Sequence, residues 1–202
     1  MTTIATSVSV VDGPLPDAAA LDARVAELRR RFPRAIIDRY LASLPTIGER
    51  ALIFPGAAVV GDVTVGEDVS IWYGSVLRGD LRPVTVGART NIQDGTVVHV
   101  MNQTHPTTIG DNVTVGHAAV LHGCTIEDRC LIGMGAIVLN GVRIGEGSIV
   151  AAGSLVVENM QVPPRSLVMG NPARIRRQLN DAEVAEIQMY ADRYVSYRLD
   201  YQ

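Results

Sequence analysis

Aliphatic residues recur at every sixth position over most of this chain of 202 residues. A helical heptad repeat would need a period of 3.5, and a half-buried strand would need only simple alternation. The period of six therefore predicts a hexapeptide β-solenoid, a repeat fold whose neighbouring coils bury one continuous core. All 18 positions of the series hold Ile, Leu or Val: Ile47, Ile53, Val59, Val65, Ile71, Leu77, Val86, Ile92, Val98, Ile109, Val115, Leu121, Ile126, Ile132, Val138, Ile144, Val150 and Val156.

Two interruptions of this series predict where the solenoid departs from regularity. Three hexads make one coil of 18 residues, and two coils are longer, with extra residues at 81–85 and 100–108. Insertions in repeat proteins map to loops, often on the face that carries function. We therefore expect each insertion to form a loop that leaves the solenoid at a corner.

The segments outside the series have helical patterns. Residues 17–32 repeat Ala, Leu and Val on one side of a helix, and residues 179–200 have Asn180, a favoured N-cap residue, at their second position. A helix after the last coil would also cover an open strand edge. The predicted organisation is an N-terminal extension, partly helical or disordered, at 1–46, a β-helix at 47–175 and a C-terminal helix packing on it at 176–202.

Composition narrows the functional classes. A formal net charge of −3 and an isoelectric point near 5.8 give no basic surface for nucleic acid. The apolar runs are too short for a membrane span, and the first residues lack the pattern of a secretory signal, so we expect a cytoplasmic protein. All 18 basic residues are Arg, which excludes a Schiff-base or phosphate-loop lysine.

The four histidines all fall between residues 99 and 122, and the repeat predicts that two of them meet. His99 follows the aliphatic position Val98, and His122 follows Leu121, one coil later. Because those aliphatic residues face inward, both histidines face outward, about 4.8 Å apart. Arg78 follows Leu77 in the coil before and belongs to the same outward column.

His117 lies on another face, because it comes two residues after Val115. A neighbouring copy of the chain could bring it to His99 and His122 if the solenoids pack with threefold symmetry. Three histidines and a water form a common catalytic zinc site. Two alternatives stay open: surface histidines that stack by chance, and an acyltransferase with a single histidine in its cleft. His105 falls in the second insertion, and we expect a solvated loop residue.

The stretches "LRGDLRPVTVGARTNIQDGTVVHV" and "TIGDNVTVGHAAVLHGC" resemble the gamma-class carbonic anhydrase family. The resemblance extends from about residue 40 to the C-terminal helix and includes Arg-Gly-Asp, Asn-Ile-Gln-Asp-Gly and His-x4-His in the family's order. It implies a mainly β fold, the left-handed parallel β-helix. It also implies a homotrimer with one metal ion at each of three subunit interfaces.

The resemblance assigns His99 and His122 of one subunit, and His117 of its neighbour, as metal ligands. We expect Zn²⁺, with Fe²⁺ or Co²⁺ as alternatives, because imidazole binds all three. The implied reaction is the reversible hydration of carbon dioxide to bicarbonate, by attack of metal-bound hydroxide on the carbon.

Further residues receive roles from the same resemblance. The loop after the first histidine, "VMNQTHPTT", has no carboxylate, which is typical of a short-loop branch. In that branch a C-terminal tyrosine lies beside the metal, and Tyr194 is the best match. The remaining assignments are Gln93 orienting the metal-bound water, Asn91 near the metal, and Arg78 with Asp80 bridging subunits and shaping the pocket, or forming a purely structural ion pair.

Three functions remain open from the sequence. The first is a metal-dependent carbonic anhydrase. The second is a metal-binding trimeric scaffold with little hydratase activity or another substrate. The third is a hexapeptide acyltransferase that uses a coenzyme A thioester, which three converging histidines and Gln93 disfavour. No nucleic acid or membrane partner is expected.

Overall fold

A computed structural model describes residues 17–201, which form two helices, twenty strands and a closing 3₁₀ turn. Helix α1 spans Ala18–Arg31, helix α2 spans Asp181–Tyr197, and the 3₁₀ turn spans Arg198–Tyr201. The first sixteen residues of the predicted N-terminal extension lie outside the described part. The strands are β1 (Ile36–Asp38), β2 (Thr46–Ile47), β3 (Leu52–Ile53), β4 (Ala58–Val65), β5 (Ser70–Ile71), β6 (Val76–Val86), β7 (Asn91–Ile92), β8 (Val97–His99), β9 (Thr107–Ile109), β10 (Thr114–Val115), β11 (Val120–His122), β12 (Thr125–Ile126), β13 (Leu131–Ile132), β14 (Ile137–Val138), β15 (Arg143–Ile144), β16 (Ile149–Val150), β17 (Leu155–Val156), β18 (Gln161–Val162), β19 (Ser166–Gly170) and β20 (Ala173–Gln178).

The strands stack in parallel into three faces of a triangular prism. Face 1 contains β1, β8, β11, β14 and β17, and face 2 contains β2, β9, β12, β15 and β18. The long strands β4 and β6 cross the corner between these two faces and belong to both. Face 3 contains β3, β5, β7, β10, β13, β16, β19 and β20. The fold is a mainly β, left-handed parallel β-helix with a C-terminal helix, as predicted.

The aliphatic positions of the repeat fill the interior. Every one of the 18 is buried except the partly exposed Ile47, at the first coil. On face 1 the ladder aligns Leu77, Val98 and Leu121, each fully buried. Burying a Val, Leu or Ile side chain contributes about 1.5–3 kcal/mol, so the stacked columns are the main source of stability.

The two insertions behave differently. Residues 81–85 lie within the continuous strand β6, so the predicted loop at this place is wrong. The extra residues are absorbed where the register against β4 shifts between Gly61 and Val63, in the manner of a β-bulge. Residues 100–108 do leave the prism, in a turn closed by the Met101–His105 bridge, as predicted.

Outward residues distinguish face 1 from face 2. The residues that precede the buried positions form one aligned column on each face. The column on face 1 is apolar: Ile36, Ala58, Val76, Val97, Val120, Ile137 and Leu155. The column on face 2 is polar: Thr46, Thr64, Thr85, Thr108, Thr125, Arg143 and Gln161.

Both helices form where the sequence predicts them. Asp17 caps α1, and Asn180 caps α2 in a reciprocal capping box with Glu183. Helix α2 packs on face 3 with Ile187 and Ala191 buried. Before α2 begins, the chain turns back, and β20 pairs antiparallel with β19, which ends the parallel stack on face 3. No helix in residues 17–201 is long and apolar enough to cross a membrane.

Candidate metal centre

His99 and His122 meet on face 1, as the repeat predicts. They are direct partners in the ladder between β8 and β11. Nδ1 of His99 lies 3.1 Å from Nε2 of His122, and the rings are tilted by 60°. The six-residue period therefore brings together two imidazoles that lie 23 positions apart in the chain.

Asp80 positions the first of these rings. Its Oδ1 accepts a hydrogen bond of 2.9 Å from Nε2 of His99, and its Oδ2 pairs with Arg78. Burial works to raise the pKa of the Asp80 carboxyl, but hydrogen bonds from His99 and Arg78 outweigh it, and the pKa lies below the ordinary value. Asp80 is therefore an ionised acceptor, and Nε2 of His99 carries the proton.

Asn140 positions the second ring from the opposite side. Its Oδ1 lies 2.7 Å from Nδ1 of His122, and its Nδ2 donates to Oε1 of Glu158 at 2.8 Å. Because a carboxylate only accepts, the amide nitrogen faces Glu158 and the amide oxygen faces His122. Nδ1 of His122 therefore carries a proton, and in the neutral ring Nε2 holds the lone pair.

When both rings are neutral, these directions leave one lone pair on Nδ1 of His99 and one on Nε2 of His122, 3.1 Å apart. This 3.1 Å contact can be bridged by a proton, which leaves one ring doubly protonated, or by a metal cation that both nitrogens bind. Two nitrogen ligands of a tetrahedral zinc ion, each about 2.0–2.1 Å from the metal, lie about 3.3 Å apart. The donor chemistry and the spacing of this pair both fit a divalent metal, and Asp80 and Asn140 supply the outer hydrogen bonds typical of ligating histidines.

His117 lies elsewhere, at the end of face 3. Its Nδ1 pairs with Oδ2 of Asp94 at 2.8 Å, and its side chain is exposed. It borders a cavity of about 510 Å³ that Tyr194 also lines. Burial, together with the negative charge of Asp94, raises the pKa of Tyr194 above the ordinary phenol value. Tyr194 is therefore a neutral phenol at neutral pH.

Gln93 and Asn91 lie on the same side as His117. Both are almost fully buried; Gln93 Nε2 donates to Asn91 Oδ1 at 3.1 Å, and Asn91 Nδ2 donates to Thr114 Oγ1 at 2.9 Å. The backbone N–H of Ala118 donates to the Asp94 carbonyl, so the segment after Gln93 runs beside the segment that carries His117.

One chain thus contains two separate parts of the predicted site. Face 1 holds Arg78, Asp80, His99 and His122, and face 3 holds Asn91, Gln93, His117 and Tyr194. Within residues 17–201 no three His, Cys, Asp or Glu side chains converge on a metal position. Both cysteines are buried, which raises the pKa of each thiol to about 12, so neither offers a thiolate ligand.

Sequence reasoning missed two features of the site. Asn140 and Glu158 lie 18 residues apart, and that interval of one coil was the available signal. Apart from Tyr194, the aromatic wall of the cavity was also missed, because Trp72 comes from the second coil and Tyr197 and Tyr201 come from the C-terminal segment. The Trp72 and Tyr194 rings meet edge to face at 5.5 Å.

Comparisons with known proteins agree with this architecture. The family model described as bacterial transferase hexapeptide (six repeats) matches residues 45–79 and 123–157. A Methanocaldococcus jannaschii protein named "Probable carbonic anhydrase" is 52% identical over 149 residues, which cover 74% of this chain and 93% of that protein. "Gamma carbonic anhydrase 1, mitochondrial" of Arabidopsis thaliana is 51% identical over 155 residues, or 74% of this chain.

Two further comparisons concern the length of a relative and a solved structure. The match spans only 56% of the Arabidopsis protein, so this chain corresponds to little more than half of that relative. Among solved structures, a Bacillus cereus protein described as an acetyltransferase is 40% identical, with a TM-score of 0.81 over 84% of this chain and 99% of that one.

Proposed function

This chain belongs to the gamma carbonic anhydrase family of enzymes, which are lyases, and from that membership we propose that it hydrates carbon dioxide to bicarbonate with a bound metal ion. The observation that carries the proposal is the 3.1 Å approach of His99 Nδ1 to His122 Nε2, with each outer ring nitrogen held by a hydrogen-bond partner, Asp80 or Asn140. Carbon dioxide and bicarbonate are the small molecules that we propose as substrates.

We assign the metal to His99 and His122 of one chain and His117 of a neighbouring chain in a homotrimer. The apolar outward column of face 1 supports this assembly, because it runs beside the two histidines on the same face. Three imidazole ligands would hold a divalent cation without cancelling its charge, and the bound cation would supply the field that lowers the pKa of water to near neutrality. Zn²⁺ is the proposed ion, with Fe²⁺ or Co²⁺ as alternatives.

The remaining residues would orient the reactants and move the proton. The hydrogen bonds from Gln93 to Asn91 and from Asn91 to Thr114 hold the Gln93 amide in one orientation. We assign its carbonyl oxygen the task of accepting a hydrogen bond from the attacking water. Arg78 and Asp80 fix the His99 ring.

Tyr194 is the proposed proton relay. As a neutral phenol beside His117, it can accept one proton and donate another without holding charge. Tyr194→Phe should lower turnover in dilute buffer, and a high concentration of a small buffer such as imidazole should restore it. A tyrosine that only packs against Trp72 would give no such buffer dependence.

The first experiment is stopped-flow hydration of carbon dioxide on metal-quantified protein, prepared without oxygen and reconstituted separately with Zn²⁺, Fe²⁺ and Co²⁺. Activity with one of these ions, near one per chain, is the expected result. His122→Ala should lose the metal and the activity while the β-helix remains folded by circular dichroism. An unchanged metal content in His122→Ala would contradict the assignment.

Two other functions are distinguished by the same preparation. Full metal occupancy without hydration would favour a metal-binding scaffold or a different substrate. The likeness to the Bacillus cereus protein described as an acetyltransferase favours an acyltransferase as second candidate. Release of free coenzyme A from acetyl coenzyme A, with an amine or alcohol acceptor and unaffected by chelation, would support that candidate.

A further inference from the structure

Two residues outside the predicted site complete the arrangement around His122. Asn140 lies one coil beyond His122, and Glu158 lies one coil beyond Asn140. The three side chains form a row along the stack, joined by hydrogen bonds of 2.7 and 2.8 Å. The row continues through His99 to Asp80, so a hydrogen-bonding side chain occupies each of five successive places.

The direction of each hydrogen bond in this row is fixed by its two carboxylate ends. Asp80 accepts from His99, and Glu158 accepts from Asn140, because carboxylates have no proton to donate. If the Asn140 amide rotated by half a turn, its nitrogen would face His122 and its oxygen would face Glu158. That arrangement sets two acceptors against each other and is therefore disfavoured.

The backbone leaves room for this contact. Gly123 follows His122 and has φ +60°, a conformation that L side chains rarely adopt. A Cβ at this position would lie 2.5 Å from Asn140 Oδ1. The glycine therefore allows both the turn after His122 and the close approach of the Asn140 amide.

We infer that Asn140, oriented by Glu158, is a positioning residue that holds His122 in the tautomer with its proton on Nδ1 and its lone pair on Nε2, ready to bind metal. This inference rests on the proposed function for the metal itself, but the tautomer is a property of the metal-free chain. Neither residue touches the metal position; both act through the imidazole. Outer hydrogen bonds of this kind typically change metal affinity by about 10–100-fold.

The first test measures the tautomer without metal. Histidine ring ¹⁵N chemical shifts, measured on protein freed of metal by a chelator, distinguish the two tautomers. The signals of the four histidines can be assigned by single substitutions. We expect the Nδ1-protonated form to dominate for His122 in the wild type and to give way to a mixture in Asn140→Ala. An unchanged His122 tautomer in Asn140→Ala would overturn the inference.

The second test measures Zn²⁺ affinity by competition with a chromophoric chelator. Asn140→Ala should bind about tenfold more weakly or worse, and Glu158→Ala should show a smaller loss in the same direction. In the double variant Asn140→Asp with Glu158→Gln, the carboxylate at 140 accepts from His122, and the amide nitrogen at 158 donates to that carboxylate. The double variant should therefore recover affinity. Asn159→Gly is the matched control, because it removes the neighbouring amide, leaves Asn140 intact and suits the positive φ of 62° at that position.

The outcomes separate the inference from the proposed function. A wild-type chain that binds no Zn²⁺ would contradict the proposed metal site, and the ring shifts would still decide the role of Asn140. Stoichiometric Zn²⁺ in the wild type with equal affinity in Asn140→Ala would overturn the inference alone. Equal losses in Asn140→Ala and Asn159→Gly would show a structural effect and would also overturn it.

Discussion

Faces 1 and 2 of the prism share one interior and carry opposite exteriors. On both faces, successive coils align buried aliphatic residues, such as Leu121 on face 1 and Ile126 on face 2. The residue before each one is apolar on face 1 and Thr, Arg or Gln on face 2. The period of six therefore determines the fold through its inward residues, whereas the outward residues are free to specify what each face binds.

The largest expected effect comes from a charge on the apolar column. Val97→Arg should convert the proposed trimer to single chains and remove its shared metal, because an unpaired charge is costly to bury in an apolar interface. Thr108→Arg, the matched change on face 2, should leave the assembly intact. Light scattering coupled to size exclusion measures both, and equal masses for the two variants would contradict a role for face 1 in assembly.

The next largest effect tests whether the interiors are equivalent. Leu121→Ala behind face 1 and Ile144→Ala behind face 2 should each lower the free energy of unfolding by about 3 kcal/mol, because both side chains are fully buried. Urea unfolding of each variant in a dissociated background, such as Val97→Arg, gives the two values. A loss of unfolding free energy in only one of the two variants would show that the interiors behind the two faces are not equivalent.

The C-terminal segment meets the solenoid at Asp68, which pairs with both Arg50 and Arg198. Ion pairs stabilise this contact, whereas apolar packing stabilises the interior. Hydrogen bonding from Arg50 lowers the pKa of Asp68, burial opposes this, and the charge of Arg198 lowers it further. Asp68→Asn should cost about 2 kcal/mol of unfolding free energy at neutral pH.

This contribution has a definite pH dependence. Since the folded pKa of Asp68 lies below its unfolded value, the stabilisation is complete above the unfolded value, about pH 4, and is lost as pH falls through the folded pKa. Wild type and Asp68→Asn should therefore converge in acid. A difference that stays constant from neutral to acidic pH would contradict the ion-pair origin.

The smallest expected effect exchanges a methyl group for a hydroxyl. Val97→Thr on face 1 should weaken association severalfold, and Thr108→Val on face 2 should change neither association nor stability by more than about 0.5 kcal/mol. Sedimentation at several concentrations measures the first, and thermal unfolding measures the second. A stronger association in Thr108→Val would indicate that face 2 also contributes to the assembly.

The sequence predicted the parts of the molecule that depend on spacing along the chain. Counting by six placed His99 against His122, and the capping preference of asparagine placed the start of α2 at Asn180. Counting failed at residues 81–85, because an excess over the repeat can be absorbed as an irregularity within a strand as well as in a loop.

Other features depend on how distant segments pack, which spacing does not specify. Trp72 and Tyr194 meet because α2 returns along face 3, and the path of a helix over a solenoid is set by tertiary contacts such as the ion pair between Arg89 and Asp192. The orientation of the His99 and His122 rings depends on hydrogen bonds to Asp80 and Asn140. The spacing of residues along the chain does not specify these hydrogen bonds.

Strand β20 ends the parallel ladder of face 3 and so affects how copies of this protein can associate. Each coil of a parallel solenoid offers the next one an open row of backbone donors and acceptors, so such a stack could in principle extend without end. At this end, β20 runs in the opposite direction and exposes Arg174, Arg176 and Arg177. On face 3, a second copy approaching along the axis meets this reversed strand instead of a parallel strand edge that continues the repeat. Continued parallel stacking is therefore disfavoured on face 3 at this end, which leaves the sides of the prism for the contacts of the proposed trimer.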